Sequence, residues 1–335
     1  MHTAGEPVRI ITGGYPELEG DTLLEKRRDA HENHDHLRKA LMLEPRGHAE
    51  MYGALVLPPC HKDADLSVLF MHNSGYSTMC GHATIALGRW AVESGRIEAR
   101  EGTTDFTLEC PCGLVDVSAS VEGGKVTHVR FHNVPGYVAA EDVAVELEGI
   151  GRIRADIAFG GAYYAIVPAH RLGLDLHTSP LEDLKARALE ITDNLRANHT
   201  LTHPFEEDLG FLYGTILTEG AVINRGEINH HLCFFGDGQL DRSPTGSGVS
   251  ARLALAHAKE EIAQGQRCCF KGVSGVSFGG VITERTRFGN HKAVIARVSG
   301  QGYYTAETRF LIEADDPLAE GFTPPQCPAD LWQHR

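Results

Sequence analysis

Met79-Cys80-Gly81-His82-Ala83-Thr84-Ile85-Ala86-Leu87-Gly88 is the stretch around which the rest of the chain can be organised. An apolar run, 67–71, leads into it, and a helical run ending near Gly95 leads out. The pattern therefore predicts Cys80 at the mouth of a helix, where unpaired backbone N–H groups and the positive dipole end converge. Such a position favours thiolate over thiol and can lower a Cys pKa from ~8.5 into a range of roughly 3.5–7.5. The same N–H groups form an anion site. One short segment could thus hold a substrate carboxylate with a base beside it. An isolated Cys-Gly-His is more often an inert buried thiol followed by a tight turn, and a second copy is what shifts the balance.

That copy is Asp241-Arg242-Ser243-Pro244-Thr245-Gly246-Ser247-Gly248, with an apolar run on to Leu255. Aligned on Gly81 and Gly246, both segments place a small hydroxyl or thiol residue before Gly, then a polar residue, then an apolar helix. Cys80 and Thr245 lie 165 positions apart in a chain of 335, close to half its length. Two half-chains, each offering a helix N-terminus, predict a duplicated α/β domain with the active site between the halves. The Gly-Ser-Gly turn lacks the Lys and the spacing of a phosphate loop.

A chain of 335 residues with 42% hydrophobic composition can bury a sizeable core and suggests about two domains. The first is expected over 1–145, carrying Cys80, and the second over 146–335, carrying Asp241 and Thr245, with the C-terminal segment free to return and pack on the first. A net charge of −14 argues against nucleic-acid binding, which needs a basic face. No run approaches the ~18 apolar residues that would span a membrane. The opening residues 1–7 show no basic segment followed by an apolar one, so no signal peptide is visible. Eight irregularly spaced Cys then read as reduced thiols of a cytoplasmic protein.

Along the chain, strands are expected over 8–12, 51–57 and 67–72. A helix is expected over 21–43, with Leu23, Leu24, Leu37, Ala40 and Leu41 buried. Residues 103–132 read as an antiparallel meander with Gly123-Gly124 as a hairpin turn. The segment 135–149 reads as the passage between halves. Further strands are expected at 155–159, 163–167, 211–217 and 228–235, and antiparallel sheet over 275–310. Between them, Ser179, Pro180 and Glu182 give the signature of a capping box opening a helix.

Other constellations favour plainer readings. His31-x-x-His34-x-His36 lies in a charged stretch without a partner cluster and reads as a solvated helix face, so no metal is assigned. Cys110-Pro111-Cys112 and Cys268-Cys269 read as packing. Glu44-Pro45-Arg46-Gly47-His48 could be catalytic, with a turn braced by charge at least as good a reading. His82 can point into the cleft with Cys80 as an acid, a base or a hydrogen bonder. Asp241 could meet the positive nitrogen of an amino acid, or could simply brace the helix entry.

These motifs together resemble the proline racemase family, and the likeness runs nearly end to end. It includes His2-Thr3-Ala4-Gly5-Glu6-Pro7-x-Arg9, Glu44-Pro45-Arg46-Gly47-His48, Gly160-Gly161-Ala162-Tyr163-Tyr164-Ala165 and Asp316-Pro317-Leu318-Ala319-Glu320-Gly321-Phe322. The resemblance implies two pseudo-symmetric mixed-sheet domains of diaminopimelate epimerase-like fold, a cleft between them and no cofactor. In the family's racemases and hydroxyproline epimerases both half-sites carry Cys, one thiol on each face of the substrate Cα. Here Cys80 stands alone and Thr245 occupies the second position, the pairing of the family's trans-3-hydroxy-L-proline dehydratases. An unactivated Thr hydroxyl is too weak an acid-base group to exchange a Cα proton near neutral pH. The resemblance further implies that Gly81, His82, Asp241, Gly246 and Ser247 bind the substrate's carboxylate and ring nitrogen. Ser247 replaces the more usual Thr and keeps its hydroxyl.

Stereochemistry agrees with a single base. In trans-3-hydroxy-L-proline the Cα hydrogen and the 3-hydroxyl lie on the same ring face, so one group on that face can take the proton and stand near the leaving oxygen. The expected reaction is cofactor-independent loss of water by Cys80, with the Cys80 thiol itself or His82 aiding the departing hydroxyl, through an enamine, to Δ1-pyrroline-2-carboxylate. Epimerisation of 4-hydroxyproline, racemisation of proline, and non-catalytic binding of an imino acid are the alternatives. The expected partner is a small imino acid, with neither nucleic acid nor membrane, and the chain is compatible with a homodimer.

Overall fold

The computed structural model describes residues 1–220, 222–223 and 228–324. Five helices are described: α1 (Leu23–Asn33), α2 (Asp35–Met42), α3 (Gly81–Glu93), α4 (Leu181–Asn198) and α5 (Gly246–Ala258). A mixed sheet runs without interruption through both halves of the chain. In the first half, Tyr52–Leu57 pairs antiparallel with Leu66–His72, which runs parallel to Gly102–Cys110; Gly113–Glu122 and Lys125–His132 complete a meander. Both turn glycines of that meander, Gly123 and Gly124, have positive φ (58° and 77°), as a two-residue hairpin twisted with its strands requires.

In the second half, eight strands from Gly136–Leu147 round to His291–Gly300 close on themselves through the pairings Gly136↔Val294 and Tyr137↔Ala293. The seam between the halves is itself hydrogen-bonded, since Arg297 faces His132 and Gly300 faces Val129.

Each half is wrapped round one apolar helix. Residues 81–88 of α3 and 246–256 of α5 are buried on every side, the pattern of a core helix. Their small residues let the sheet close in. A Cβ on Gly88 would fall 2.6 Å from Val129 Cγ1, and one on Gly160 would fall 2.2 Å from the Ser247 carbonyl oxygen. The termini are also joined: Gly302–Tyr303 pairs with His2–Thr3, and Glu44 bridges to Phe322. Arg46 braces this return, donating to the carbonyls of Leu311, Leu318 and Ala319 and pairing with Asp316 at 2.7 Å.

Three expectations are corrected. The segment 135–149 is largely the strand Gly136–Leu147, which pairs wholly within the second half and crosses position 145. Its Val143-x-Val145-x-Leu147 alternation is the strand signal. The single helix over 21–43 divides at His34 into α1 and α2, and of its five expected core residues Leu23 and Ala40 are buried while Leu24, Leu37 and Leu41 are half-buried. Ser179 and Glu182 form no capping box: Pro180 is the N-cap of α4, and Ser179 Oγ accepts from the amide of Asp175. The capping box that does form, Thr22 with Glu25, opens α1.

Candidate active site

The N-termini of α3 and α5 meet end to end in the interior. A Cβ on Gly81 would lie 2.4 Å from Gly246 Cα, and one on Gly246 would lie 2.7 Å from Gly81 Cα. The two positive dipole ends and their free amides are thereby directed at one point. That point is a narrow cavity lined by Cys80, Gly81, His82, Asp241, Thr245, Gly246 and Ser247. All seven residues singled out in the sequence thus share one wall-to-wall space. Four aromatics complete it: Tyr52, Tyr164, Tyr213 and Phe235.

Cys80 is the N-cap of α3, and its Sγ accepts from the amide of Ala83 at 3.4 Å. His82 Nδ1 lies 3.1 Å from that sulfur, and Nε2 lies 3.3 Å from the Pro7 carbonyl oxygen. A carbonyl can only accept, so the bond to Pro7 places the imidazole hydrogen on Nε2 and leaves the bare Nδ1 lone pair facing the thiol. Burial pushes the Cys80 thiol well above its usual range, with the Ala83 amide and the Tyr52 hydroxyl pulling the other way. Burial also brings His82 down to about 3. The resting pair is therefore neutral thiol and neutral imidazole. This reverses the lowered thiol pKa expected from the helix mouth alone, because removing a charge from water outweighs one amide and the dipole.

On the opposite wall, Asp241 is buried, which raises its pKa to about 6 against the opposing pull of the Ser243 amide, from which it accepts at 2.8 Å. Thr245 has φ +52°, rare for a β-branched residue and strained by about 1–3 kcal/mol. Its Oγ1 is buried without a hydrogen-bond partner among the described residues. The loop is held in this form from behind: His231 Nε2 lies 2.6 Å from the Pro244 carbonyl oxygen, and Arg252 Nη1 lies 3.1 Å from His231 Nδ1. Ser247 Oγ meets the Tyr164 hydroxyl at 2.7 Å. From a third direction, buried Glu6 accepts from the amide of Arg242 at 2.7 Å.

Two helix mouths that can hold an anion, a carboxylate for a cation, and a thiol–imidazole pair on one side only make a site for an α-amino or imino acid. The aromatic walls suit a small apolar ring. The sequence reading missed those walls and Glu6. Tyr52, Tyr213 and Phe235 lie in strands whose composition reads as ordinary core, and only the fold carries them to Cys80. Tyr164 and Glu6 fall within motifs quoted above, which was the available signal.

The remaining candidates lie elsewhere. His31 and His36 are exposed and His34 sits 3.6 Å from Asp29, so the three do not converge. Cys110, Cys112 and Cys268 are buried and Cys269 half-buried, all unbridged. Among the described residues, His177, Glu219 and His230 do converge, on the surface, where Glu219 bonds both imidazoles at 2.9 and 3.1 Å. No described helix is long and apolar enough to cross a membrane.

Residues 1–323 match the model of the proline racemase family. The chain is 49% identical over 324 residues to a trans-L-3-hydroxyproline dehydratase of Xenopus tropicalis, covering 96% of this chain and 93% of the relative. It is 48% identical over 328 residues to the trans-3-hydroxy-L-proline dehydratase of Homo sapiens, covering 96% and 92%. Among solved structures, a hydroxyproline epimerase from Agrobacterium vitis with bound trans-4-hydroxy-L-proline superposes with a TM-score of 0.91 at 27% identity, covering 96% of this chain and 93% of that one.

Proposed function

The chain belongs to the proline racemase family, and from that premise we propose that it is a hydro-lyase that dehydrates trans-3-hydroxy-L-proline to Δ1-pyrroline-2-carboxylate. The observation that carries the reading is the unequal pair at the helix mouths, Cys80 on one wall and Thr245 on the other. The substrate carboxylate takes the free amides of α3 and α5 around Gly81 and Gly246, with the Ser247 hydroxyl beside them. The cationic ring nitrogen pairs with Asp241, and the ring lies among the four aromatics. Positive charge brought in by the substrate favours the thiolate. His82 Nδ1 accepts the thiol proton, and the Cys80 thiolate removes the Cα hydrogen. The helix amides hold the charge that develops on the carboxylate, the C3–O bond breaks, and the enamine tautomerises to the cyclic imine.

Thr245 forms the far wall and returns no proton, which separates this reading from an epimerase or racemase. No cofactor is needed for any step. Both helix mouths belong to one chain, so a homodimer would be an assembly of complete sites. A working thiol fits a reducing compartment such as the cytoplasm. Incubation with trans-3-hydroxy-L-proline, with imine followed by an amine-trapping dye, should give product without added cofactor. Racemisation of proline with no imine from the 3-hydroxy substrate would overturn the assignment.

A further inference from the structure

Loss of water requires a proton for the departing 3-hydroxyl, delivered on the ring face that Cys80 addresses. His82 is not aimed at it: once Nδ1 has taken the thiol proton, one of its hydrogens points at the Cys80 sulfur and the other at the Pro7 carbonyl. Thr245, Ser247 and Asp241 stand on the opposite wall. Of the three tyrosines that line the cavity, Tyr52 is the one whose ring packs against His82. It opens the strand Tyr52–Leu57, lines the cavity and packs edge-on against His82 with ring centroids 4.8 Å apart. Its hydroxyl lies 2.5 Å from Ser77 Oγ, in the segment leading into Cys80. This holds the phenol in the cavity that Cys80 also lines, and its hydroxyl is among the groups that draw the Cys80 thiol pKa down.

We infer that Tyr52 is a catalytic residue, the general acid that protonates the leaving hydroxyl, with Ser77 as its positioning residue. The inference rests on the dehydratase reading above. In the elimination the Cys80 thiolate takes the Cα hydrogen, and the Cα–H electron pair becomes the Cα=C3 bond. The C3–O pair leaves on oxygen, which takes the Tyr52 proton and departs as water. The site then holds a Cys80 thiol and a Tyr52 phenolate side by side, and proton transfer from sulfur to oxygen restores both. Nothing is oxidised or reduced, and no co-reactant is consumed.

The test is Tyr52→Phe, assayed three ways: imine formation from trans-3-hydroxy-L-proline, solvent deuterium uptake at Cα, and fluoride release from trans-3-fluoro-L-proline. Fluoride needs little help from an acid, so it separates acid catalysis from positioning. Imine formation should fall roughly 10²–10⁴-fold with KM within a few-fold of wild type, while deuterium uptake persists and fluoride release stays within a few-fold. If the variant does not fold, Ser77→Ala should show the same selective loss at smaller size. Imine formation within a few-fold of wild type overturns the role of Tyr52 alone, as does an equal loss in all three assays. A wild-type protein that forms no imine overturns the dehydratase reading and this role with it.

Discussion

At the residue scale, the site is asymmetric in chemistry although its two walls have matching frames. Cys80→Ser should leave the melting temperature close to wild type and lower turnover at least 10²–10⁴-fold, because a serine hydroxyl at the same helix mouth supplies no anionic base. Activity within a few-fold would place the base elsewhere. Thr245→Cys should be tolerated structurally, since it removes a branched Cβ from a positive φ. It should gain Cα deuterium exchange and inversion with 4-hydroxyproline or proline, read by NMR and chiral chromatography. Equal inversion in wild type would mean that Thr245 does not separate lyase from epimerase. Burial raises the Asp241 pKa to about 6, so kcat/KM should fall as pH drops through about 6 and the carboxylate loses its charge. Its folded pKa is raised above the ordinary carboxylate value, so the buried charge destabilises the protein above that range, and stability should rise as pH falls from about 6 toward 4. Asp241→Asn should remove the step near pH 6 in kcat/KM, lessen the stability dependence, to which buried Glu6 with its raised pKa also contributes, and raise KM; an unchanged KM would restore the role of a mere helix brace.

At the element scale, the decisive contact is between two helix ends that carry no side chains. Neither Gly81 nor Gly246 has a positive φ, so their requirement for glycine comes from proximity alone. Gly81→Ala or Gly246→Ala must push α3 and α5 apart. Each should cost about 1–3 kcal/mol by overpacking, measured in denaturant, with a disproportionate loss of activity as the two sets of amides lose their common focus. Normal kinetics in either variant would show that the carboxylate is held elsewhere. The two helix mouths were legible in the sequence because each is a local signal, a small residue and glycine before an apolar helical run. The strands were legible where alternation is clean, as in 113–117. The capping box at Ser179 misled because a serine hydroxyl serves whichever amide the loop presents, and there that amide belongs to Asp175. Tyr52 was illegible in principle: its role depends on a strand pairing and on Ser77, neither written near it.

At the scale of the whole molecule, the return of the C-terminal segment ties the first residues to the last. The strand pair His2–Thr3 and Gly302–Tyr303 lies against α3, and the Thr3 hydroxyl donates to the His82 carbonyl at 2.8 Å. Pro7, a few residues on, fixes the His82 tautomer. Arg46→Ala should therefore speed amide hydrogen exchange over residues 304–324 while leaving the buried strands protected. Uniform exchange across the chain would show that Arg46 supports the global fold. The sequence indicated that two halves exist but not how they are joined, because the seam pairs Lys125–His132 with His291–Gly300 across about half of the chain.

That hydrogen-bonded seam has a consequence for descent. If the two helix mouths arose by copying one ancestral unit, the copies now share one continuous sheet across that seam. Cutting the gene between them would leave each product with an open strand edge and half a site. Such a union works as a ratchet. Once the halves were bound for good, selection no longer had to keep them alike, and one mouth could give up its thiol while the other went on supplying one.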